Sequence, residues 1–258
     1  MEVVILAGGF GSRIGEETKS KPKPMIKINK FPIITHIINY YINYGFKEFI
    51  ICTGYKEKII RDYFASQFTL VTKQIIKKNK YYLEIYSKTK KIRIKIINTG
   101  LNTGTGGRLK KIHNHIKSEN FMMTYGDGLS NVNLKKLILC HIKNKKLVTL
   151  TAVYPPPRWG ALIIDKKNNR VKDIHEKFSH KGDRINGGFF VINKKAISKI
   201  KNDKTHWEQE PLRNLAKNNE LQAYLHDGFW QPMDTLREKI LLNDLSKSKI
   251  APWENVAK

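Results

Sequence analysis

Residues 1–25 read MEVVILAGGFGSRIGEETKSKPKPM, and the first nine decide the fold. Residues 2–6 are a short β-branched run that stops at Ala7-Gly8-Gly9, the pattern of a buried strand entering a glycine loop. The loop continues to about Pro24. After Pro32, the residues Ile33, Ile34, Ile37, Ile38, Tyr41 and Ile42 fall on one helical face, with proline at its start and Gly45 just past its end. Residues 48–53 read as a second strand closed by Gly54, and a helix over 56–68 follows.

Residues 69–92 break this rhythm. They are rich in lysine, alternate in places (Tyr82, Glu84, Tyr86) and have no helical period, so a protruding hairpin or loop is expected there. The alternation then resumes: a strand at 93–98, a Gly/Thr-rich turn, a helix at 107–116, a strand at 121–125 and the turn Gly126-Asp127-Gly128. A helix at 133–144 and a strand at 146–153 continue it. Short strands are expected at 161–164, 171–175 and 187–192, and helices near 194–200, 207–217 and 235–246. Apolar strands alternating with helices predict an α/β fold, a mixed and mainly parallel central sheet flanked by helices on both faces. No linker or internal repeat divides the 258 residues, and one domain spanning 1–258 is expected.

The chain holds 48 Lys+Arg against 22 Asp+Glu, a formal charge of +26. Such a charge suits a nucleic-acid partner. The excess, however, is carried by 39 lysines and only 9 arginines, and it travels with 33 isoleucines and 21 asparagines. These three abundant residue types share A/T-rich codons, and the planar group that reads phosphate and guanine is arginine. A solvated lysine surface, with no nucleic-acid partner, is therefore expected. No apolar run approaches the ~18 residues of a membrane span, so no membrane association is expected. The N-terminus lacks the form of a signal peptide, and Cys52 and Cys140 are too few for a disulfide framework. A cytoplasmic protein is the expectation.

In a parallel sheet, ligands bind beyond the carboxyl ends of strands, which is where Leu6-Ala7-Gly8-Gly9-Phe10-Gly11-Ser12-Arg13 lies. Its glycines let backbone N–H groups approach an anion closely. The GxxxxGK[ST] loop is absent, and Ile14 occupies the third glycine position of GxGxxG. Arg13 in the loop and Lys23, stiffened between Pro22 and Pro24, add two cations. Asp127 ends an apolar strand between two glycines, and Asp234 stands just before a helix. Taken alone, Asp127 reads equally as a turn residue and Asp234 as a helix N-cap.

The stretch LAGGFGSRIGEETKSKPKPMI resembles the signature of the sugar-1-phosphate nucleotidyltransferases, whose usual form is LAGGxGTRL followed by Lys-Pro. YGDG at 125–128, PPPRWGAL at 155–162, EK at 176–177, INGGFFV at 185–191, WEQEPL at 207–212 and GFWQPMDT at 228–235 sharpen the resemblance to the branch that joins CTP to glucose 1-phosphate. Ser12 stands for the usual Thr, Ile14 for Leu, Phe178 for Pro, and Pro157 and Trp159 for Gly and Phe. The resemblance implies a Rossmann-like nucleotidyltransferase fold and an active site with few parts. Leu6, Ala7, Gly8, Gly9, Gly11, Ser12, Arg13 and Lys23 would bind the nucleotide, together with Thr105, Gly106, Gly107 and Arg108 in the base-reading turn, with a neighbouring subunit as the alternative contact of Arg108. Asp127 and Asp234 would hold Mg²⁺. Glu176, Lys177, Asn186, Gly187 and Gly188, with Asp127, would hold the sugar phosphate. Arg13, Lys23 and Lys177 would act in catalysis. No general base is required, because the second pKa of a phosphate monoester is about 6 and the nucleophile is already ionised. The family's habit and the 69–92 insertion also imply a homo-oligomer.

Overall fold

The structure is a computed structural model and describes residues 1–67, 70–77, 80–87, 91–156, 161–165, 167, 169–175, 183–247 and 251–254. β1 (Val3–Leu6) is followed by a 3-10 turn at Ser12–Ile14, α1 (Gly15–Thr18) and a second 3-10 turn at Lys23–Met25. The minor strands β2 (Lys27–Ile28) and β3 (Phe31–Pro32) lead into α2 (Ile33–Asn43). β4 (Glu48–Thr53) and α3 (Glu57–Gln67) follow.

Residues 69–92 contribute β5 (Leu70–Lys77) and β6 (Lys80–Ser87), an antiparallel hairpin. It lies in the plane of the central sheet, because β6 pairs antiparallel with β7 (Ile92–Asn98). Next come α4 (Thr105–Lys111), β8 (Asn120–Tyr125), β9 (Gly128–Ser130), α5 (Leu134–Asn144) and β10 (Val148–Val153). β11 (Ala161–Ile164) and β12 (Val171–His175) form a separate antiparallel pair. β13 (Ile185–Asn193), α6 (Glu210–Lys217), β14 (Leu221–His226), β15 (Trp230–Pro232) and α7 (Leu236–Ser246) finish the chain. The helix expected near 194–200 is a 3-10 helix, Lys194–Lys199, and the one expected at 107–116 ends at Lys111, before a 3-10 turn. β14 has no counterpart in the sequence reading. Its residues alternate only between half-buried and exposed, a weak signal for an edge strand.

The nine-stranded sheet has the order β14-β10-β13-β8-β1-β4-β7-β6-β5. Only β13 and β6 run against the other seven strands. Alternation along β1 serves two cores. Val3 and Ile5 pack with Ile37 and Tyr41 of α2, Phe64 of α3, Leu137 of α5 and Leu242 of α7. Val4 and Leu6 pack on the opposite face with Leu109 of α4, Trp207, and Leu212 and Leu215 of α6. Each such aliphatic side chain contributes about 1.5–3 kcal/mol on burial, so β1 and its neighbours form a rigid floor under the loops at their carboxyl ends.

Candidate active site

The glycine loop after β1 is held from beneath. Ala7 N–H donates to the Cys52 carbonyl at 2.9 Å, extending the β1–β4 pairing. The Gly8 carbonyl accepts from Tyr55 N–H at 3.2 Å and from Arg108 Nη2 at 2.8 Å. A Cβ at residue 8 would stand 2.1 Å from Arg108 Nη1, so glycine is a packing requirement there. Gly11 has φ of +68°, in the left-handed region that glycine enters freely. It turns the chain into Ser12–Ile14 and leaves Arg13 projecting, its side chain 70% exposed.

Two cations meet two carboxylates at the centre. Lys23 is buried, and its Nζ donates to Asp127 Oδ2 at 2.7 Å and to Asp234 Oδ1 at 2.5 Å. Arg13 Nη1 donates to the other Asp234 oxygen, Oδ2, at 2.5 Å. Burial pulls the Lys23 pKa down, but the two carboxylates, Asp127 foremost, outweigh burial and hold it above the usual lysine range. A small antiparallel sheet brings the distant aspartates together. β15 pairs with β9, Pro232 opposite Gly128, and Met233 N–H donates to the Asp127 carbonyl at 2.8 Å.

Thr235, not Asp234, caps α7. Its hydroxyl accepts from Glu238 N–H at 3.3 Å, while Glu238 Oε2 accepts from Thr235 N–H at 2.9 Å and from Asp234 N–H at 2.6 Å. The capping alternative for Asp234 thus falls to its neighbour, and the Asp234 carboxylate faces the cleft.

Both aspartates, Arg13 and Lys23 line a cleft of about 1060 Å³ beyond the carboxyl ends of the parallel strands. Leu6, Ala7, Gly8, Gly9, Gly11 and Ser12 form one wall. Thr105, Arg108 and Asn186 also line it. The remaining sequence candidates stand elsewhere. A Cβ at Gly107 would come 2.0 Å from the Asp203 carbonyl oxygen, and one at Gly106 would come 3.0 Å from that of Thr205, so both glycines let α4 pack on the 203–205 segment. Gly187 sits against Val153, and Gly188 (φ +77°) sits against the Tyr125 ring. Glu176 and Lys177 lie outside the described residues.

Arg108 is buried and committed to the protein. Besides Gly8, it donates to the Thr53 carbonyl at 3.0 Å, Thr99 Oγ1 at 2.7 Å and the Gly100 carbonyl at 2.9 Å. One guanidinium therefore ties together the loops after β1, β4 and β7.

Three cleft residues had no role in the sequence reading. Glu208 accepts from Thr105 Oγ1 at 2.6 Å and from the Tyr125 hydroxyl. Burial and the Glu208 carboxylate push the Tyr125 phenol well above its usual pKa. Trp230 Nε1 donates to the Gly187 carbonyl at 2.6 Å, joining the arm that carries Asp234 to β13. Tyr125 precedes Gly-Asp-Gly, and Glu208 and Trp230 sit in quoted motifs, so position was a signal for each although its chemistry was not.

Glycine-loop amides, two cations and two carboxylates in one cleft suit a polyphosphate and a hard divalent ion. The nucleotidyl transferase family model matches residues 2–235, and the chain belongs to that family. It is 45% identical to the glucose-1-phosphate cytidylyltransferase of Salmonella typhimurium over 256 residues, 98% of this chain and 99% of that one. It is 35% identical to a probable glucose-1-phosphate cytidylyltransferase of Bacillus subtilis, over 98% of this chain and 99% of that one. Among solved structures, HddC from Yersinia pseudotuberculosis superposes with a TM-score of 0.70 at 25% identity, covering 95% of this chain and 99% of its own.

Proposed function

We propose that the protein condenses CTP with α-D-glucose 1-phosphate to give CDP-glucose and pyrophosphate. The observation that carries this reading is the convergence of Asp127 and Asp234 on Lys23 beside the glycine loop, in a chain aligned end to end with its cytidylyltransferase relatives. A phosphate oxygen of the sugar attacks the α-phosphorus of CTP in line. The bond from that phosphorus to the bridging oxygen breaks, and pyrophosphate leaves with the electron pair. The protein has to align the reactants and neutralise crowded negative charge. The loop amides from Gly8 to Ser12 bind phosphate oxygens, and Arg13 meets the charge that builds on the leaving pyrophosphate. Lys177 and Glu176 are proposed to hold the sugar phosphate and a hexose hydroxyl, and Asn186 to contact the sugar.

The residues present fit magnesium. One carboxylate oxygen from each aspartate already touches a single shared cation, Lys23 Nζ. No cluster of three or more His, Cys, Asp or Glu side chains placed for a metal occurs among the described residues, so phosphate oxygens and water would complete its shell. Bound there, the ion supplies charge neutralisation at the α-phosphate.

Pyrophosphate release with each of CTP, UTP, GTP and ATP against glucose 1-phosphate tests the reading, and CTP is expected to dominate. Asp127→Asn and Asp234→Asn are each expected to cut turnover by about a hundredfold or more, with native circular dichroism. A preference for another nucleotide would overturn the substrate assignment, and full activity in either variant the aspartate assignment.

A further inference from the structure

The charge pattern at the centre of the cleft has a consequence for how a metal ion enters. Both oxygens of Asp234 already face a cation: Lys23 donates to Oδ1 and Arg13 to Oδ2. Asp127 gives its Oδ2 to the same lysine. Two carboxylates are thus matched by two cations before any ligand arrives. Lys23 is buried between the two carboxylates, whereas Arg13 projects from the rim on a left-handed glycine turn. A dication entering this arrangement meets like charge at contact distance and carboxylate oxygens already taken as acceptors. Phosphates would change that balance, because Arg13 and Lys23 line the cleft together with the glycine-loop amides that suit an anion.

We infer that Lys23 and Arg13 are positioning residues that hold the Asp127–Asp234 pair closed to free divalent metal, so that metal is accepted together with nucleotide phosphates that draw the two cations away. The inference rests on the proposed role of Asp127 and Asp234 as metal holders and adds the order in which that site fills. It fixes the sign of an effect. A merely structural Lys23 would, on removal, loosen the aspartates and weaken metal binding. A competing Lys23 would, on removal, free two oxygens and strengthen it.

The experiment is Mn²⁺ binding to the full chain without nucleotide, followed by electron paramagnetic resonance of the free ion. Wild-type protein is expected to bind Mn²⁺ weakly. Lys23→Met and Arg13→Gln are each expected to bind about tenfold more tightly or better, since one adjacent charge shifts a neighbouring equilibrium by about one to three log units. Arg13→Gln alters an exposed side chain and keeps the test alive should Lys23→Met fold poorly. Asp127→Asn or Asp234→Asn, added to either variant, should abolish the gain. Unchanged or weaker binding in the cation variants overturns the inference and leaves the metal-holding role standing. Tight binding that survives both aspartate changes shows that the ion sits elsewhere, and removes that role together with the inference.

Discussion

Arg108 shows how one side chain of a cleft wall can also be a structural tie. Its position after Gly-Thr-Gly-Gly invited a nucleotide role, yet its guanidinium is buried among carbonyls of three loops. Nothing in a linear sequence says that the Gly8, Thr53 and Gly100 carbonyls converge. Arg108→Met would strand those acceptors, and a loss of about 3 kcal/mol in urea unfolding is expected. An unchanged midpoint would show that water satisfies the loops. Glu208 is the opposite case, an acidic side chain with two hydroxyl donors, Thr105 and Tyr125, on different walls of the cleft. An amide presents N–H groups to one of those donors, so Glu208→Gln should lower kcat/KM about tenfold with little change in melting temperature. Arg13 and Lys23 were legible as cations in and beside the glycine loop, whereas Asp127 and Asp234 were reached only through the family resemblance, since alone each read equally as a turn residue or a helix cap. Glu208 was not, because one acid in a lysine-rich chain gives no signal by composition.

At the scale of elements, the site depends on small pieces. β15 is three residues long, and its pairing with β9 carries Asp234 to Asp127. The capping box that starts α7 fixes the next residue, with Glu238 receiving both the Asp234 and Thr235 N–H groups. Thr235→Ala removes half of that box and should cost about 1 kcal/mol of stability. Because the loosened segment carries Asp234, turnover should fall by more than stability alone explains, and denaturation curves beside initial rates would show whether it does. The longer strands β1, β4, β7, β8 and β10 and the helices α2, α3 and α5 were readable from apolar periodicity, since each buries a defined face. β9, β15 and β14 were not, because short or half-exposed strands owe their existence to partners distant in sequence.

Across the whole molecule, four histidines share one displacement. Burial, the foremost cause in each case, lowers the pKa of His36, His115, His141 and His226. His141, for example, lies between Thr149 Oγ1 at 3.0 Å and Asn120 Oδ1 at 3.3 Å. These groups stay neutral in the folded protein at pH values where the unfolded chain, with histidines near pKa 6.5, takes up protons. Their contribution to stability is therefore complete above about pH 6.5 and is lost as pH falls below it. Melting temperature followed from pH 8 to pH 5.5 should fall on the acid side, and a rise on acidification would contradict the assignment. Among the described lysines only Lys23 and Lys204 line the cleft, and no described helix is long and apolar enough to cross a membrane.

The sequence by itself determined the alternating α/β architecture and the glycine loop at the end of the first strand, with its cations Arg13 and Lys23. Those depend on local periodicity and residue chemistry, which are written in order along the chain. Only the tertiary structure decided that Lys23 stands between the two aspartates and Arg13 on the second oxygen of Asp234. Only it decided that Arg108 faces inward and that Gly106 and Gly107 serve packing. Each of these is set by which carbonyl or carboxylate folding brings within hydrogen-bond distance, a relation between residues that can lie a hundred or more positions apart.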